Sequence, residues 1–248
     1  MILKKTGEEL KVMRDAGRIL ANIMNDLRSF IKAGLTTVEL DSFAENLITK
    51  AHVSPAFKGY KGFPAATCTS VNDEIVHGIP SGRVLLEGDI ISVDLGINYR
   101  GFFSDAAFTV GIGKIDGASE KLIEVTRESL NLGIREAVVG KRLSDISYAI
   151  QAYVEKNGFS VVREFVGHGI GKGLHEEPEV PNYGLPNQGP ILEAGMVLAI
   201  EPMVNMGSWQ AEILDNGWTA VTRDSKRSAH FEHTVAITPS GPEVLTIG

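Results

Sequence analysis

Apolar residues recur at helical spacing in four stretches of the chain and at strand spacing between them. Leu10, Met13, Ile19, Leu20, Ile23, Leu27 and Ile31 follow a capping box made by Thr6 and Glu9, and Gly34 stops the helix they predict. Thr36 with Glu39 caps a second helix that runs to about residue 51, with Leu40, Phe43, Ala44, Leu47 and Ile48 facing inward. Residues 119–137 predict a third helix and residues 143–156 a fourth. Residues 53–67 carry Gly59, Gly62 and Pro64 and read as a loop. Strands are expected over 68–77, 196–205, 218–222 and 230–238, and residues 161–174 read as extended and glycine-rich.

The strongest strand signal lies in residues 88–105. Ile90, Ile91, Val93, Leu95 and Ile97 lead to Asn98-Tyr99-Arg100-Gly101, a turn signal, and a second run follows. A hairpin folded between Tyr99 and Arg100 sets Asp94 directly opposite Asp105, with Cβ atoms roughly 4.5–5.5 Å apart on one face. Two bare carboxylates that close repel, and a cation between them removes the repulsion.

A second segment copies the first. Gly88-Asp-Ile-Ile-Ser-Val-Asp94 has the pattern of Gly195-Met-Val-Leu-Ala-Ile-Glu201, at an offset of 107 residues. The helical part repeats at an offset of 106: Gly34 matches Gly140, and Leu40, Ala44, Leu47 and Ile48 match Ile146, Ile150, Tyr153 and Val154. This pattern predicts a duplicated α/β unit. One domain, residues 1–248, is expected, with pseudo-twofold halves of about 1–115 and 116–248 and acids from both meeting near the axis.

Composition narrows the class. The chain has 248 residues, 43% of them hydrophobic and 22% charged, which is ordinary for a globular protein with a substantial core. The net charge of −7 argues against broad nucleic-acid binding. Cys68 is the single cysteine, so no intrachain disulfide can form. The N-terminus has no apolar signal region, and no apolar run approaches a membrane span. A cytoplasmic location follows as the expectation.

Two further motifs carry chemistry. Glycines at 167, 169, 171 and 173 bare one face of an extended segment that holds His168 and His175, which suggests close approach of a ligand to the backbone. Strand parity puts those two histidines on opposite faces, so the segment must bend for both to serve one site. Glu201 and Glu232 each stand in runs of strand-forming residues, where a carboxylate is avoided unless it is paired or binds metal. Asp94, Asp105, Glu201, Glu232 and one histidine make an oxygen-rich set. Such a set suits two divalent ions of the Mn, Fe, Co or Zn type, able to share a hydroxide and clamp a carbonyl. There is no His-Glu-x-x-His, no Gly-x-Ser-x-Gly elbow and no phosphate loop.

In order, these motifs are Asp94, Asp105, His168 in Gly-His-Gly-Ile-Gly, His175 in His-Glu-Glu-Pro, Glu201 in Ala-Ile-Glu-Pro and Glu232 in Phe-Glu-His-Thr. As a set they resemble the type I methionine aminopeptidases of the pita-bread metallopeptidase fold, family M24, over essentially the whole chain. The resemblance implies an α+β fold, a curved and mostly antiparallel sheet covered by four main helices. It implies Asp94, Asp105, His168, Glu201 and Glu232 as ligands of two divalent ions, with Asp105 and Glu232 bridging and a metal-bridged hydroxide as nucleophile. Glu201 doubles as the proton shuttle, and His77 and His175 contact substrate. Phe57, Tyr60, Phe63, Cys68 and Trp218 line the methionine pocket; from the sequence alone these aromatics are ordinary core. The implied substrate is the N-terminal methionine of a nascent polypeptide, near the ribosome, with a small second residue, and the implied enzyme is a monomer. The type II enzymes that the chain resembles carry a long insertion between the last two glutamates, so the spacing of 31 residues between Glu201 and Glu232 favours type I, and no zinc-binding N-terminal extension is expected.

Two positions depart from the commonest type I pattern. Leu174 stands where phenylalanine is frequent, which bears on pocket shape, and His230 where glutamine is frequent, which bears on hydrogen bonding around Glu232. The rival readings are a proline dipeptidase or X-Pro aminopeptidase, and a non-catalytic relative of the same fold. The proline peptidases usually carry an additional N-terminal domain and tend to have arginine at the position of His230. A non-catalytic relative would have lost a ligand, and none is lost.

Overall fold

The structure, a computed structural model, describes residues 1–247. In chain order the elements are α1 (Gly7–Phe30), α2 (Thr37–Lys50), β1 (Ser54–Pro55), β2 (Thr67–Val71), β3 (Glu74–Val76), β4 (Ile90–Tyr99), β5 (Phe102–Gly111), α3 (Gly117–Glu136) and α4 (Leu143–Lys156). There follow β6 (Ser160–Val161), β7 (Gly167–Gly169), β8 (Glu176–Val180), β9 (Val197–Ile200), β10 (Met203–Asn205), β11 (Ala211–Ile213), β12 (Ala220–Thr222), β13 (Ser228–His230), β14 (Glu232–Thr238) and β15 (Gly241–Val244).

The four helices fall where the apolar spacing predicts. Both capping boxes form: the Thr6 and Thr36 hydroxyls accept from the Glu9 and Glu39 backbone N–H groups, and those glutamates accept in return. The third helix starts earlier than expected because the Asp116 carboxylate accepts from the Ser119 N–H and caps it.

One nine-stranded sheet runs in the order β1-β4-β5-β14-β9-β7-β8, with β2 also on β4 and β15 also on β14. Ile91, Val93, Leu95 and Ile97 of β4, with Ala106 and Phe108 of β5, pack into the main core with Leu20, Leu27, Leu122 and Leu130 of the helices. Strand alternation turns Asp94 and Asp105 to the other face.

The two helix-to-strand connections make the same backbone bonds. Gly34 N–H donates to Leu85 O at 2.8 Å and Gly140 N–H to Leu192 O at 2.9 Å. Leu85 N–H donates to Leu35 O, and Leu192 N–H to Lys141 O, both at 2.8 Å. Gly88 and Gly195, which precede the two matched strands, have φ of +93° and +91°, a region that favours glycine.

Three expected strands are broken. Residues 68–77 divide at Asn72 (φ +60°), which sends β2 to β4 and β3 to a small sheet with β12. Residues 196–205 divide at Glu201-Pro202, since proline offers no N–H to a ladder, and β10 joins a small sheet with β13 and β6. Residues 230–238 divide at Phe231 into β13 and β14.

The hairpin register also differs from the expectation. Arg100 and Gly101, both at positive φ (+53° and +82°), form the two-residue turn. Asp94 therefore pairs with Ala107, and Asp105 with Gly96. Moving the turn by one residue shifts the pairing by two, so the acids keep a common face but become diagonal rather than direct neighbours.

Candidate metal centre

Five adjacent strands of the sheet each bring one side chain to the face opposite the helices. Asp94 stands in β4, Asp105 in β5, Glu232 opens β14, Glu201 follows the last residue of β9, and His168 is the middle residue of β7. Register brings them into line: Glu232 pairs with Ala107, His233 with Ile200, and His168 with Ala199. Thr234 fixes Asp105 from the neighbouring strand, accepting from its N–H at 2.9 Å and donating to its carbonyl at 2.8 Å.

Ligand atoms of Asp105, His168 and Glu232 lie within 4.8 Å of one another. His168 Nε2 is 3.5 Å from Glu201 Oε1, and Asp94 and Asp105 each perturb the other's protonation. Burial drives all four acids upward. Asp105 is raised to about 7, held back in part by its hydrogen bonds with Asp94 and the Ala106 N–H. Asp94, Glu201 and Glu232 are raised first by burial and then by the neighbouring carboxylates. Among the described residues none of the four pairs with a lysine or arginine; Glu201 alone has charged-group neighbours at salt-bridge distance, His168 and His230.

Asp94 Oδ1 and Glu232 Oε1 are buried without a hydrogen-bond partner. Orphaned carboxylate oxygens beside mutually repelling acids are what a divalent cation satisfies. His168 fits the same need. Its Nδ1 faces the Gly169 carbonyl at 2.9 Å. Donation there leaves the Nε2 lone pair turned to the acids. Burial lowers its pKa to about 4, so the ring is neutral as a ligand must be. Two ligand atoms of one ion at ordinary bond lengths and a tetrahedral angle are about 3.4 Å apart, close to the 3.5 Å between His168 Nε2 and Glu201 Oε1.

Past Gly169 the chain leaves the strand and bends, and the His168 and His175 rings come to 4.3 Å between centroids. Glu176 braces this bend, accepting from the Gly173 N–H at 2.9 Å and from Lys5 Nζ at 2.5 Å. Three glycines of the ladder are required by the protein's own packing. A Cβ at Gly167 would lie 2.4 Å from Ala199 O, one at Gly169 2.2 Å from Glu177 O, and one at Gly171 2.2 Å from Lys5 Cε. His175 Nδ1 is 2.9 Å from the Tyr60 hydroxyl, and its pKa is lowered by burial and then by Lys61. His77 sits at φ +58°, its ring edge-on to Phe165, and burial and then His175 lower its pKa to about 4.

Every site residue expected above lines one cavity. The acids and histidines make one wall. Phe57, Tyr60, Phe63, Cys68 and Trp218 make an apolar end, with Phe63 and Trp218 edge-to-face at 5.2 Å. The Cys68 thiol is pushed up by burial and then by Asp94, so it is a neutral wall of that end. Leu174 lines the cavity too. Lys61, which no sequence signal marks, lies at its edge with its ammonium 5.5 Å above the Tyr60 ring. His230 turns not to Glu232 but to Glu201, Nε2 to Oε2 at 3.7 Å, because the break at Phe231 sets β13 in a different sheet from β14.

Similarity to known proteins agrees with this geometry. The metallopeptidase family M24 matches residues 11–239. The methionine aminopeptidase of Clostridium perfringens is 57% identical over 100% of this chain and 99% of its own length. Methionine aminopeptidase 1 of Bacillus subtilis is 55% identical over 99% of each. The crystal structure of the methionine aminopeptidase from Thermotoga maritima superimposes with a TM-score of 0.98 at 47% identity, covering 100% of both chains. The architecture is the pita-bread fold, and the chain belongs to metallopeptidase family M24, in its methionine aminopeptidase branch.

Proposed function

We propose that this enzyme removes the initiator methionine from nascent polypeptides, and that Asp94, Asp105, His168, Glu201 and Glu232 would hold two divalent ions. The observation that carries the reading is the juxtaposition of four mutually repelling carboxylates, Asp105 and Glu232 buried and Asp94 and Glu201 half-buried, with one apolar pocket end. When bound, the ions would polarise the scissile carbonyl and make water a nucleophile near neutral pH. Co, Mn, Fe and Zn all suit the ligand set.

The chain's own residues do the rest. The methionine side chain enters the apolar end between Phe63, Tyr60, Phe57, Cys68 and Trp218, where an unbranched thioether packs well. That orients the first peptide bond toward the acids. Glu201, its basicity raised by burial, accepts a proton from the attacking water and returns it to the leaving amine. His77 and His175, both neutral, donate hydrogen bonds to the carbonyl oxygen as it gains charge. A single domain, a monomeric state, a cytoplasmic site of action near the ribosome and a preference for a small second residue complete the proposal. Among the described residues no helix is long and apolar enough to cross a membrane.

The test is cleavage of Met-Ala-Ser against an X-Pro peptide, with metal content measured alongside. Release of methionine only by metal-loaded protein is expected. Preferential cleavage of the X-Pro peptide, or no cleavage of either by protein holding two ions, overturns the reading.

A further inference from the structure

His230 is buried at 1% exposure, and its Nε2 has no hydrogen-bond partner. Its backbone is pinned: the N–H donates to Thr109 Oγ1 at 2.9 Å, and that hydroxyl donates to the His230 carbonyl at 2.8 Å. The imidazole therefore has little freedom to search for another partner. The acid facing it at salt-bridge distance is Glu201, whose two oxygens are divided between two rings. Oε1 is 3.5 Å from His168 Nε2, and Oε2 is 3.7 Å from His230 Nε2. His230 is not part of the group of ligand atoms that Asp105, His168 and Glu232 form. It stands behind Glu201 rather than among the ligands.

We propose that His230 is a positioning residue: as the neutral Nε2–H tautomer it donates a hydrogen bond to Glu201 Oε2 and fixes the carboxylate with Oε1 turned toward His168. A separation of 3.7 Å is too long for a hydrogen bond, and less than an ångström of carboxylate rotation closes it. Catalytic hydrogen bonds commonly tighten in this way when a site fills. The bond gives the buried Nε2 its missing partner. It also lets one carboxylate serve two roles without swinging between them, because Oε2 stays on a fixed donor while Oε1 faces the cation side. Glutamine carries a terminal N–H donor of similar reach, whereas leucine fills the space without a donor.

The inference rests on the role proposed above for Glu201, and its first test does not depend on peptidase activity. Nitrogen-15 NMR of the imidazoles in zinc-loaded protein reads the tautomer directly. Nε2–H is expected at His230, and Nδ1–H at His230 would overturn the proposal. The second test is kinetic. His230→Leu is expected to lower kcat about tenfold, the effect of losing one hydrogen bond to a charged group, while KM changes less than about twofold. His230→Gln is expected to recover most of that loss. A glutamine variant as impaired as the leucine variant, or a leucine variant as active as the parent, would show that His230 only fills space. If His230→Leu does not fold, the NMR result on the parent protein and the glutamine variant still decide.

Discussion

The two halves of the molecule build their acids in different ways. In the first, β4 and β5 are ten residues each, joined by a two-residue turn, and Asp94 and Asp105 stand inside an unbroken ladder. In the second, the matched strand stops at Ile200, and the chain returns to the sheet only at Glu232. The segment between is folded into two small sheets, one carrying His230 and the other packed against β3 beside Trp218 and His77. The first half thus supplies acids from a rigid hairpin. The second supplies them from strand ends, and uses the break to bring further side chains to the cavity. The two helix-to-strand connections make the same backbone bonds, and the break after Ile200 makes room for the side chains that reach the cavity.

The widest break of this comparison comes from removing one acid per half. Asp105→Asn and Glu201→Gln are each expected to lose bound metal and to lower turnover by on the order of 10³, because a buried set of charges loses one member. Metal analysis with Met-Ala-Ser kinetics checks both. A variant that keeps full activity would mean that its half is dispensable.

A somewhat smaller effect separates the two histidines of the glycine segment. His168→Ala is expected to deplete metal. His175→Ala is expected to keep metal and lose kcat by about 10²–10³, the effect of one oxyanion donor. If His175→Ala is the depleted variant and His168→Ala is not, the roles are reversed.

The pocket tests whether the second half contributes to specificity. Trp218→Ala opens the wall that Phe63 packs against and is expected to lower kcat/KM on Met-Ala about tenfold, mostly through KM. In the parent protein Met-Ala, Met-Gly and Met-Ser are expected to be cut well, and Met-Lys and Met-Phe poorly. Equal rates on Met-Ala and Met-Lys contradict the small-residue preference.

The smallest effect is on stability. Burial raises Asp105 from its ordinary 3.8 to about 7 in the folded, metal-free chain. The unfolded chain therefore gives up this proton first as pH rises. The stabilisation is complete below about pH 4 and is lost as pH climbs through about 7. Metal-free parent protein is expected to lose stability relative to Asp105→Asn over that window, by several degrees in Tm at about 2–4 °C per kcal/mol for this chain length. Thermal unfolding across pH checks it, and a flat or opposite difference counts against a strained acid cluster.

What was legible in the sequence follows the same division. Helices with capping boxes, the glycine turns at Gly34 and Gly140 and the shared face of Asp94 and Asp105 depend on local chemistry and on parity, and those can be read from residues. The sequence places the hairpin register two residues out, because the positive φ of Arg100 is invisible until the turn is built. The breaks at Asn72 and Phe231 answer to sheet pairing far away in the chain, which periodicity does not encode. The glycine ladder was visible, but its partners, the backbones of Ala199 and Glu177 and the side chain of Lys5, were not. For the same reason the bend that joins His168 to His175 had no local signal, being braced by Lys5 from the other end of the chain.

The central claim is that acids from both halves act through bound ions on an N-terminal methionine. It is tested most directly by stripping the protein with a chelator, adding back Mn, Co, Fe or Zn in known amounts, and following methionine release from Met-Ala-Ser. The account predicts no release from stripped protein and recovery that saturates at two ions per chain. Full release from stripped protein would contradict it.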